Sequence, residues 1–101
     1  MAIGMLLDDP SGTREQYEEL ARKMFGGELA PPEPIQGLVI HTAGASEAGW
    51  RIFDVWESKE DFDRFMKQYI EPVMGDDMLQ GPQPEVYELV NVIGAGVGAT
   101  A

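Results

Sequence analysis

The chain has no cysteine, one histidine, His41, and only 7 basic residues against 18 acidic ones. Without cysteine there is no disulfide framework, no thiolate nucleophile and no thiolate metal site, which suits a reducing compartment. A lone histidine among scattered carboxylates does not make a zinc or non-haem iron centre, because such centres draw on two or three imidazoles or on a compact carboxylate cluster. No metal and no other cofactor is therefore expected. The formal charge of −11 repels phosphate backbones and leaves no basic stripe for counterion release, so neither nucleic acid nor an anionic membrane is an expected partner. No apolar run approaches the roughly 18 residues that a bilayer span needs. The opening stretch Met1-Ala-Ile-Gly-Met-Leu-Leu-Asp8 has no basic segment and soon turns acidic, unlike a signal peptide, and a cytoplasmic location is the expectation. Neither a G-x-S-x-G elbow nor a Walker loop occurs.

What is present is a chain of 101 residues with 44% hydrophobic side chains, enough for one folded domain. Ala2 to Leu7 reads as a first strand, closed by the turn formers Asp8-Asp9-Pro10-Ser11-Gly12. Thr13 with Gln16 three residues on is a capping box, and Tyr17, Leu20, Ala21, Met24 and Phe25 follow at helical spacing until Gly26-Gly27. Gly37 to Ala43 and Trp50 to Glu57 read as a hairpin around a small, polar loop. Ser58 caps a second helix, whose stripe is Phe62, Phe65, Met66, Tyr69 and Ile70, with Pro72 kinking or ending it. Glu85 to Ile93 reads as a fourth strand, and the glycine- and alanine-rich residues 94–101 as a flexible tail.

Strand, helix, strand, strand, helix, strand is the split βαβ order of a ferredoxin-like α+β domain: a four-stranded antiparallel sheet with two helices on one face. The third and fourth strands are apolar on both sides, so the uncovered face calls for a partner, and a second copy of the chain offers a closed, self-complementary cover.

Gly37-Leu-Val-Ile-His-Thr-Ala-Gly44, then Gly49-Trp-Arg-Ile-Phe-Asp-Val-Trp-Glu-Ser58, then Phe62-Asp-Arg-Phe65 resemble the dimeric α+β barrel proteins, in particular small bacterial proteins near the antibiotic biosynthesis monooxygenase-like domains. The resemblance covers residues 1–93 and implies a homodimer joined through its sheet faces. For activity it spans cofactor-free monooxygenases, lactone isomerases and haem-degrading oxygenases. A haem-degrading member should carry a histidine on a helix, and both expected helices lack one.

Pairing Ala43 with Trp50 in the hairpin would set His41 opposite Ile52 and Val39 opposite Asp54, leaving His41, Trp50, Asp54 and Trp56 on one face. His41 can take or give a proton near neutral pH, and a carboxylate such as Asp54 can orient the ring; these are the candidate catalytic residues. Trp50 and Trp56, with Ile52 and Val39, are candidate walls for a small apolar or aromatic ligand, and tryptophan at a dimer interface is the other reading of the same residues. Two functions stay open. One is a cofactor-independent monooxygenase or isomerase acting on a small aromatic or polyketide-like compound. The other is a non-catalytic dimeric module that binds a small ligand or serves a structural role.

Overall fold

The computed structural model describes residues 1–94; the tail expected at 94–101 lies outside them but for Gly94. Strand β1 (Ile3–Asp9) leads through a tight turn into helix α1 (Arg14–Met24). Strands β2 (Leu38–Ser46) and β3 (Gly49–Trp56) form a hairpin. Helix α2 (Lys59–Phe65) runs on through a π turn (Met66–Ile70) into α3 (Glu71–Met74) and a 3₁₀ turn (Gly75–Leu79), and β4 (Glu85–Glu88) closes the chain. The sheet is antiparallel throughout, in the order β2-β3-β1-β4. The molecule is thus α+β, with a four-stranded sheet and two helical segments, an arrangement compatible with a ferredoxin-like fold. Among the described residues no helix is long and apolar enough to cross a membrane.

Both helices start where their caps dictate. Thr13 Oγ1 accepts from the Gln16 N–H at 3.2 Å while Gln16 Oε1 accepts from the Thr13 N–H at 3.2 Å, satisfying two donors that the first turn leaves free. Ser58 Oγ accepts from the Asp61 N–H at 3.1 Å, and its hydroxyl donates to Asp61 Oδ2 at 2.8 Å. Arg64 also donates to Asp61, and together these donors hold the Asp61 carboxyl below the usual carboxylate range, Arg64 most of all. Proline has no N–H and its ring crowds the carbonyl four residues back, so Pro72 cannot continue a regular α-helix. The chain widens just before it: the Glu71 N–H reaches back five residues to the Met66 carbonyl. The helical path therefore continues past the proline rather than stopping at it.

The hairpin departs from the expected register. Strand β2 runs to Ser46, and only Glu47 and Ala48 form the turn, so Ala45 rather than Ala43 faces Trp50. His41 consequently faces Asp54, not Ile52, and Ala43 faces Ile52. Val39 does not face Asp54 at all: the pairing slips between Leu38, opposite Trp56, and Ile40, opposite Val55, leaving Val39 as the extra residue of a bulge. The short turn is held by Gly49, whose φ of +153° suits glycine and where a Cβ would lie 2.2 Å from the Asp9 carbonyl oxygen. Strand β4 is also shorter than the expected 85–93. Glu88 already faces Ile3 at the start of β1, and among the described residues the ladder ends with the Leu89 N–H bonded to the Ala2 carbonyl at 2.9 Å. Val90 and Ile93 are accordingly exposed.

One sheet face carries Ile3, Met5 and Trp56, which with Phe62 make the buried core; Leu7, Ile35, Leu38, Ile52, Phe65, Met66 and Val86 pack against it. Trp56 is fully buried, its ring 5.1 Å from Phe65 and 5.9 Å from Phe62. Phe65 leads on to Tyr69 at 5.3 Å and Tyr69 to Phe25 at 5.5 Å, an aromatic line that joins the sheet to both helical segments. Trp56 is thus a core residue, neither a ligand wall nor an interface residue. Truncating it to alanine should cost about 3 kcal/mol or more in urea unfolding, the usual penalty for emptying a large buried aromatic site. A loss below about 0.5 kcal/mol would place its ring at the surface instead.

Candidate functional site

A carboxylate taken out of water is stable only if donors replace the water. Asp54, in the middle of β3, is 3% exposed, and two donors reach it. The indole N–H of Trp56, two residues on and on the same face, donates to Oδ2 at 3.3 Å. His41 Nδ1, directly across the hairpin, lies 2.6 Å from Oδ1. Nδ1 beside a carboxylate carries the hydrogen, which leaves Nε2 of the neutral ring as an acceptor. The Tyr17 hydroxyl of α1 donates to that nitrogen. Trp56, Asp54, His41 and Tyr17 therefore form one hydrogen-bonded line from the core to the edge of the sheet.

Tyr17 is placed by α1, where it is the fourth helical residue after the Thr13 cap. Its ring stacks nearly parallel to His41, with centroids 6.0 Å apart, and lies 5.4 Å from the ring of Trp50. Burial pushes the Tyr17 phenol above its ordinary value of 10.0, and the nearby Asp54 charge adds to the effect. The phenol is therefore a proton donor at neutral pH. Beside it opens a cleft of about 470 Å³ lined by Arg14, Tyr17, Glu18, Leu29, Ala43, Ala45 and Trp50. Its two charged groups pair with each other, Arg14 Nε donating to Glu18 Oε2 at 3.2 Å. The rest of its wall is aromatic or aliphatic, apart from the phenol itself. Among the described residues the buried Trp50 indole N–H has no hydrogen-bond partner.

Of the residues read from the sequence, the structure brings His41 and Asp54 into direct contact and places Trp50 beside them at the cleft. It does not bring Trp56, Ile52 or Val39 there: Trp56 and Ile52 belong to the core and Val39 to the bulge. Arg51 points to the opposite face, as strand alternation requires, and pairs with Asp8 at 2.6 Å. Tyr17 could hand a phenolic hydroxyl to a ligand, but sequence reading assigns it to core packing and not to the site. It falls on the apolar stripe of α1 and so reads as a core residue with a wet hydroxyl; only the tertiary fold carries that hydroxyl to a histidine 24 positions away. No group of three or more His, Cys, Asp or Glu side chains suited to a metal ion occurs among the described residues. Comparison with protein-family models, with curated proteins and with solved structures finds no match to this chain.

The raised phenol fixes a sign. A proton held more tightly in the folded state contributes stability in full below the ionisation of the unfolded phenol, near pH 10, and this is lost as pH rises through the folded value. Tyr17→Phe removes that contribution, so thermal melts between about pH 8 and 11 should show a shallower alkaline loss of stability in the variant. Identical alkaline limbs would mean that the phenol is not held neutral by the fold.

Proposed function

We propose that this protein is a cytoplasmic, homodimeric, cofactor-independent enzyme of the dimeric α+β barrel kind that moves a proton on a small aromatic or polyketide-like compound, as an isomerase or monooxygenase does. The observation that carries this reading is the line Asp54–His41–Tyr17 ending at a largely apolar cleft. A buried carboxylate fixes the imidazole tautomer and favours the imidazolium that forms when the ring takes a proton, which is the arrangement general base catalysis needs. His41 is the base in this reading, Asp54 its orienter, and Trp50 the flat wall for the substrate. Oxygen chemistry without a cofactor would begin with the same step, since a carbanion or phenolate is the electron-rich species that meets dioxygen.

A second reading has its own observation. Both imidazole nitrogens are already bonded, Nδ1 to Asp54 and Nε2 to Tyr17, which is all that a non-catalytic ligand-binding module requires of His41. The two readings part on turnover. With hydroxynaphthalenes and enolisable aryl ketones as substrates, followed by oxygen uptake and by isomer formation, the enzyme reading expects turnover that falls at least about 100-fold in His41→Ala, the usual contribution of a general base. Binding without turnover, or turnover indifferent to His41, would favour the module.

The dimer rests on the sheet face away from the helices, which carries the partly or fully exposed Leu6, Phe53, Ile40 and Tyr87, with Ile40 50% and Tyr87 40% exposed. A second copy offering the same face buries all of them by one two-fold operation. Sedimentation should find a dimer at micromolar concentration, and Ile40→Asp, which sets a charge on that face where its edge strand β2 is most exposed, should shift it to monomer. A wild-type monomer would remove the dimer from the proposal.

A further inference from the structure

We infer that Tyr17, rather than His41, is the group that meets the ligand, and that the ligand is a small, flat, weakly acidic molecule such as a phenol or an enolisable aryl ketone. The inference deepens the proton-transfer reading and rests on it. His41 has no ring nitrogen left for a ligand, and it does not line the cleft. Tyr17 does line it. A phenol that donates its only hydrogen to imidazole keeps lone pairs on oxygen, and these can accept. The line of hydrogen bonds thus has a free end, and that end is the Tyr17 oxygen.

The step balances without any further reactant. The ligand's O–H, or a C–H next to its carbonyl, gives its proton to Tyr17 Oη, while the Tyr17 hydroxyl proton passes to His41 Nε2. The bonding pair stays on the ligand as a phenolate or enolate, and the imidazolium that results already donates from Nδ1 to Asp54. Tyr17 never becomes a free phenolate, in keeping with a phenol that burial holds in its neutral form. The charged groups around the step are Asp54 from β3, facing the imidazole, and the mutually paired Arg14 and Glu18 from α1 at the cleft.

The lining narrows the ligand class. With Arg14 and Glu18 cancelling each other, and a formal charge of −11 on the whole chain, the cleft suits a neutral molecule and disfavours a polyanion. Ala43 and Ala45 follow His41 along the same face of β2, opposite Ile52 and Trp50. Their small side chains leave room for an aromatic ring beside Trp50, where larger residues would fill the space.

The test uses 4-nitrophenol, whose ionisation is seen as colour, together with the proton resonances of the single histidine ring. With the wild-type protein the bound probe should ionise at a pH about 1 lower than the free probe, equivalent to a tenfold change. On the same titration the His41 ring signals should move to their imidazolium positions. Tyr17→Phe, which keeps the ring packed against Trp50, should abolish both effects, and so should Ala45→Leu, which fills the cleft and leaves Tyr17 in place. If either effect survives in Tyr17→Phe but not in His41→Ala, His41 meets the ligand directly: the inference falls and the proton-transfer reading stands. If the wild-type protein neither binds the probe nor changes its ionisation, both fall together.

Discussion

The rest of the structure depends on keeping one carboxylate, that of Asp54, out of water. An ion at that depth left without donors would cost several kcal/mol, a sizeable part of what a domain of this size has to hold it together. The neighbours of Asp54 are chosen by that constraint. The residue at 56 must be large and apolar to fill the core, yet it must also donate to Oδ2, and indole is the side chain that does both. The residue across the hairpin must bring an N–H to Oδ1, and His41 does so at 2.6 Å. Satisfying the carboxylate settles the tautomer of the histidine, and the tautomer in turn settles which way the Tyr17 hydroxyl points. A stability requirement in the core thereby orders a polar group at the rim.

The two sides of the sheet divide the work. The helix side holds the aromatic core at one end of β3, around Trp56, and the cleft at the other, around Trp50, with Asp54 between them. The open side carries the Asp8–Arg51 pair toward one end of the central strands and an apolar field of Ile40, Phe53 and Tyr87 toward the other. Tyr87 and Leu89 lean over Gly4, where a Cβ would lie 3.0 Å from the tyrosine ring, so β4 stays close to β1 even though it is only four residues long.

Much of this was legible in the chain because it follows from local rules. The capping box at Thr13, the stripe from Phe62 to Ile70 and the alternation of Trp50, Ile52, Asp54 and Trp56 each depend on neighbours within a few positions, and each appears where those neighbours place it. The common face of His41 and Asp54 was legible too, although the pairing is two residues away from the one expected: an even slip moves side chains along a face without changing it. What could not be read was whatever depends on distant partners. Strand β4 ends early because β1 begins at Ile3, a limit that nothing within Glu85 to Ile93 announces. Trp50 and Trp56 look alike in sequence, yet only Trp56 lies beneath Phe62 and Phe65. Tyr17 sits at a helical spacing that packing alone explains, so its hydroxyl carries no local sign of the histidine it meets.

The bulge at Val39 has a consequence that can be put as a matter of parity. Leu38 and His41 both point to the helix side, although an odd number of steps separates them, which a regular strand does not permit. The extra residue absorbs one step and restores the count. Everything downstream on β2, His41 first and then Ala43 and Ala45, takes its side from that correction. Were the strand regular with Val39 kept in line, Leu38 would stay in the core while the imidazole turned outward and Thr42 inward; without Val39 the two steps from Leu38 to His41 would leave both on the helix side. For this strand one residue lifted out of the ladder, rather than alternation alone, decides which side His41 takes.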